Sequence, residues 1–139
     1  MSAASDYTEN NVINSLLRGV AFPLPTKTYL SLHTADPGDA GGNEVTTAAW
    51  PAYVRKDAEV GGAIGSGWAP PANGTTTNSN QVIYPAQNGA SAITVTHFAI
   101  YDAPTGGNML AHAALNTART LQPGDVFVFD VGSLTVQML

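Results

Sequence analysis

The stretch ITVTHFAIYDAPTGGNML, residues 93–110, decides the fold. Its first nine residues are rich in β-branched and aromatic side chains, the composition of a strand. DAPTGGN then supplies a proline that presets φ and glycines that accept φ > 0. Gly106 to Asn108 form a hairpin turn and not a phosphate cradle, because no helix follows them. The same signature recurs on both sides. KTYLSLH at 27–33, QVIY at 81–84, VFVFDV at 126–131 and SLTVQML at 133–139 read as strands, joined by turn chemistry in DPGD, PPANGTTTNSN, AQNGAS and QPGD. The expected fold is mainly β, an antiparallel β-sandwich or jelly-roll-like domain. Within it the run Val126 to Phe129, apolar on both sides, calls for cover on both faces.

Upstream of these strands the period changes. Tyr7, Val12, Ile13, Leu16 and Leu17 recur at helical spacing from Asp6 to Arg18, with Glu9, Asn10, Asn14 and Arg18 on the other face. Asp6 is placed to cap this segment, Gly19 to end it in a left-handed conformation, and Pro23 and Pro25 to stop any continuation. One N-terminal amphipathic helix over 6–18 is therefore expected, with strands from about residue 27 to the C-terminus. It would act as a plug that supplies the second cover for the sheet, a task a neighbouring subunit could share. The 20 residues GGAIGSGWAPPANGTTTNSN, 61–80, show little hydrophobic period and read as a long loop with one short strand. Trp68 beside Pro70 and Pro71 makes a partner-contact patch there, unless Trp68 belongs to the core.

Composition supports one domain over 1–139. A chain of 139 residues buries roughly two thirds of its unfolded surface, enough for an ordinary core. Only 11% of residues are charged, and five Lys plus Arg against ten Asp plus Glu give a net charge of -5, which would repel a phosphate backbone. Nucleic-acid binding is not expected. The absence of cysteine removes disulfides, thiolate zinc sites and cysteine nucleophiles. MSAASDYTENNVINSLL lacks the basic and apolar regions of a secretory signal, and no stretch nears the ~18 apolar residues of a membrane span, so synthesis in the cytosol and no membrane role are expected.

Four groups of residues could in principle carry chemistry. Asp36, Asp39 and Glu44 in TADPGDAGGNE lack the spacing of a calcium loop; Asp36 is expected to start a Pro37–Gly38 turn, and Asp39 and Glu44 to be exposed charges. His33, His97 and His112 are at no spacing that brings two of them to one strand face. Ser66 in GSGW lacks the strand and helix of a nucleophile elbow, and Asp102, Asp125 and Asp130 flank turns or strand ends. No catalytic, cofactor-binding or metal residue is therefore assigned, and the chain is expected not to be an enzyme. The apolar runs at the C-terminus predict self-association, as a trimer, to cover strand surface.

Three stretches together resemble a family of small virion structural proteins of tailed bacteriophages, variously tail fibre, minor structural or head decoration proteins. They are YLSLHTADPGDAGGNEV with PAYVRKDAEV, ITVTHFAIYDAPTGGNML, and AALNTARTLQPGDVFVFDVGSLTVQ, which span most of the chain. The resemblance implies a scaffold and carries over no active-site residue. It implies a virion protein without fixing its place on the particle; one compact acidic domain without a shaft favours a capsid decoration (cement) protein bound to the major capsid protein. The alternative is a tail fibre or minor tail protein that binds tail proteins and takes part in host attachment.

Overall fold

The computed structural model describes residues 2–138. Its centre is the expected hairpin: β6 (Ile93–Tyr101) pairs antiparallel with β7 (Met109–Leu121) through the register Tyr101↔Met109 and Ile100↔Ala111. Asp102 closes the turn, its carboxylate accepting the Asn108 N–H at 2.7 Å and the Asn108 side-chain amide at 2.9 Å. Gly107 has φ +71, and a Cβ there would lie 2.5 Å from the Asp102 carboxylate, so only glycine fits.

The hairpin extends into a five-stranded sheet of order β1-β7-β6-β2-β3, with β1 at Ser2–Ala4, β2 at Tyr29–His33 and β3 at Lys56–Asp57. All its pairings are antiparallel. Because side chains alternate, the register Leu30↔Ile100 and Leu32↔Phe98 puts these four on one face, with Ala111 and Ala113 of β7 beside them. Between Val95 and His97 the pairing slips, and this shift keeps Ile93 and Val95 in the same core as Phe98 and Ile100.

A second layer completes the sandwich. β5 (Val82–Ile83) pairs with β8 (Val128–Phe129), and β4 (Thr75–Thr77) with β9 (Thr135–Gln137). Tyr84 is fully buried among Trp50, Tyr53, Phe127 and Phe129, with ring centroids 5.7–6.3 Å apart, and its hydroxyl donates to the Leu30 carbonyl at 2.7 Å. Phe129 meets Phe98 edge-on at 6.0 Å, so the aromatic cluster joins the two layers.

Several expectations change. The run 126–129 is covered on one face only: Phe127 and Phe129 are buried, while Val126 is exposed. Alternation therefore takes Phe127, Phe129 and Leu134 into the core, while Val126, Val131 and Met138 stay exposed. The loop 61–80 does hold one short strand, β4, and Asn78 at its end is buried, giving its amide to the Asn80 and Asp130 carbonyls and taking the Leu134 N–H.

The helix α1 spans Asp6–Arg18, and among the described residues it is the only helix. Ser5, not Asp6, is its N-cap: the Ser5 hydroxyl accepts the Thr8 N–H at 3.3 Å, which leaves Asp6 in the first turn. Gly19 ends it with φ 66. α1 is not a plug. Only Thr8 of the helix is buried, tied through its hydroxyl to the Leu110 carbonyl at 2.8 Å, and the later turns leave the body with their leucines uncovered.

Candidate functional site

The first part of the loop between β2 and β3, residues 34–44, lies on the sheet face opposite the aromatic core, while Val45, Trp50 and Tyr53 farther along it enter that core; its construction follows from turn chemistry. Asp36 accepts the Gly38 N–H at 2.9 Å and so starts the Pro37–Gly38 turn. The Gly42 N–H returns to the Pro37 carbonyl at 2.8 Å, and the Asn43 amide donates to the Asp36 carbonyl at 2.9 Å. Gly41, at φ +72, lies so close to Tyr101 that a Cβ would come 2.2 Å from the phenol oxygen. Tyr29, Ala99, Tyr101 and Met109 form a small second core beneath the loop.

The register brings the three histidines together on this face, contrary to expectation. His33 pairs directly with His97 across β2 and β6, and His112 of β7 pairs with Ala99, one diagonal step from His97. Sequence separation cannot show this, because the contact depends on long-range strand order. His33 is fully buried and both ring nitrogens are used: Nδ1–H donates to the Gly42 carbonyl at 2.7 Å, and Nε2 accepts from the Ser31 hydroxyl at 2.8 Å. Burial pushes its ionisation below the ordinary imidazole value, against the pull of the Gly42 carbonyl. His112 Nδ1 lies 3.6 Å from the exposed Asp36 carboxylate. Among the described residues no three His, Cys, Asp or Glu side chains are grouped to hold a metal.

Glu44 is half-buried, which corrects its placement among the exposed charges. Its carboxylate takes two hydrogen bonds from Arg55, at 2.9 and 2.8 Å, and one from the Tyr53 hydroxyl at 2.9 Å. Burial opposes its charge, but these partners hold the carboxyl below its ordinary value. Arg55 also donates to the Ala103 and Gly106 carbonyls and stacks 3.5 Å above the Tyr101 ring, which pins the β6–β7 turn to the loop. Asp39 is exposed.

The other candidates are occupied by structure. Ser66 donates to the Ala63 carbonyl at 2.7 Å, Asp125 accepts the Gln122 N–H at 2.8 Å, and Asp130 accepts from the Gln81 amide at 3.0 Å. A buried acid that the sequence did not single out, Glu59, accepts the Thr28 N–H and hydroxyl at 3.0 and 2.7 Å. Thr28 in turn accepts from Trp68 Nε1 at 2.9 Å. Trp68 is thus half-buried and anchored, while Pro70 and Pro71 are exposed.

Trp68 walls an apolar groove of about 300 Å3 at the base of α1, bounded by Val12, Phe22, Leu24, Val136 and Met138. Above it the helix presents Leu16 and Leu17 at 77% and 80% exposure, and the strap after it presents Leu24 at 79%. This groove and helix form an apolar surface that the fold itself leaves open.

A family model described as Podophage GP4 fiber I protein gp80 matches residues 3–137, and the chain belongs to that family of phage virion structural proteins. No curated protein matches it.

Proposed function

We propose that this member of the podophage GP4 fiber I protein gp80 family is a fibre component on the tail side of a phage particle, built as a non-catalytic module. The observation that carries the reading is the family match over residues 3–137, whose description names a fibre protein. It favours what the sequence offered as the alternative over capsid decoration. The polar chemistry supports a scaffold: Glu44 and Arg55, Asp102 and Asn108, and Glu59 and Thr28 each close a turn or tie two segments together. In this reading the partners are other tail proteins and further copies of the chain, as a trimer, with Pro70 and Pro71 available as contact points beside the groove.

Copy number tests it. Quantitative mass spectrometry of purified particles, with immunogold labelling, is expected to find a few copies located at the tail. Abundant copies spread over the shell would overturn the fibre reading in favour of capsid decoration, which a compact acidic domain also suits.

A further inference from the structure

We propose that a second copy of this chain covers α1, with Leu16 and Leu17 of one copy seated in the groove at the base of the next copy's helix. The proposal rests on the reading of the chain as a structural component and adds the surface through which its copies meet.

Three observations favour a second copy as the occupant. The first is area. Ile13, Leu16, Leu17, Val20 and Leu24, at 48–80% exposure, present on the order of 600 Å2, at the upper end of what monomers show and near the roughly 800 Å2 per partner of a standard interface. The second is shape. One chain carries both parts of a complementary pair: convex leucines at the free end of the helix, and the concave apolar groove against its first turns, lined by Thr8 and Val12. The groove has room for more than one leucine-sized side chain.

The third observation is charge. Asp6 and Glu9 occupy the first turn, which also carries the groove-lining Thr8, and Arg18 occupies the last turn, next to Leu17 in the chain and donating to Asn14 Oδ1 at 2.9 Å. Seating Leu17 in the next copy's groove carries Arg18 toward that copy's Asp6 and Glu9, which sets the direction of packing more than its strength. Knob and groove lie at different places on the chain, so two copies that exchange both contacts form a two-fold pair, and copies that make one contact each form a heterologous chain. Successive contacts of this kind close into a ring, the geometry a trimer requires, or continue as a filament.

The test is sedimentation velocity over a concentration series on the wild type and on L16E/L17E, with circular dichroism as the control for folding. The expected result is an oligomeric wild type and a monomeric, folded double variant; L17Q provides a milder version if the double variant misfolds. A wild type that stays monomeric, or a folded variant that keeps the wild-type mass, would overturn the proposal. A monomeric wild type whose L16E/L17E form fails to join particles would assign the surface to a different virion protein and would equally overturn it. Particle copy number tests the fibre reading separately, so each can fail alone.

Discussion

The sheet face beneath the loop and the helix at the N-terminus are built from comparably short segments, yet they end in opposite conditions. Under the loop, His33 uses both ring nitrogens, Glu44 accepts from Tyr53 and Arg55, and Tyr101 lies between Gly41 and a guanidinium. On α1, only Thr8 is buried and the leucines of the last turns face outward. Full internal satisfaction marks the loop face as scaffold. The open apolar stripe marks the helix as the place where free energy is still to be gained, since burying one leucine is worth about 1.5–3 kcal/mol.

Substitutions in the scaffold sharpen the contrast, beginning with the core that both layers share. Trp50→Ala removes a fully buried indole that packs on Tyr53 and Tyr84 and is expected to cost about 3–5 kcal/mol in denaturant unfolding. Arg55→Ala leaves Glu44 half-buried with only Tyr53 as donor, and about 2 kcal/mol of destabilisation is expected. Because Arg55 holds Glu44 below its ordinary value, this contribution is present above the carboxylate range and is lost as pH falls through the lowered value. An acid titration of stability should therefore be shallower in Arg55→Ala than in the wild type. An equal slope would mean that the pair adds nothing.

His33 gives a weaker, pH-dependent version of the same comparison. Its folded ionisation lies below the ordinary value, so the unfolded chain takes up the proton first as pH falls past about 6.5, and stability should drop there. His33→Gln should flatten that drop in a melting series across the interval; a pH response unchanged by the substitution would contradict the assignment. At the loop tip, Gly38 has φ +57 with open space around it, so Gly38→Val should cost about 1 kcal/mol through backbone strain alone. Asp39→Ala should stay within about 0.5 kcal/mol.

How much of this was legible in the sequence differs between the two regions. The helix limits were readable because an i, i+3, i+4 pattern and the glycine at 19 are local signals, although the cap itself passed to Ser5, which also reaches the Met109 carbonyl. The destination of the helix was not readable. An amphipathic pattern predicts burial of one face, and nothing local tells whether its own body or another copy provides it. Strand β7, with AHAALNTART inside it, has little β-propensity and is held by pairing with β6 on one side and β1 on the other. The grouping of His33, His97 and His112 depends on register between strands distant in sequence, and the Glu44–Arg55 pair on how the loop between β2 and β3 folds back on itself, so neither had a sequence signal. Turns fared best: Asp36 and Asp102 act through neighbours within six residues.

The central claim, that the apolar surface left open by the fold is where copies meet head to groove, is tested most directly by cysteine cross-linking, which the chain permits because it has no native cysteine. L17C and L24C single variants would be prepared, mixed and oxidised. The account predicts a disulfide-linked pair in the mixture, joining Leu17 of one copy to Leu24 in the groove wall of another, and little cross-linking in either variant alone. No cross-link in the mixture, or equally rapid cross-linking of L17C to itself, would contradict it.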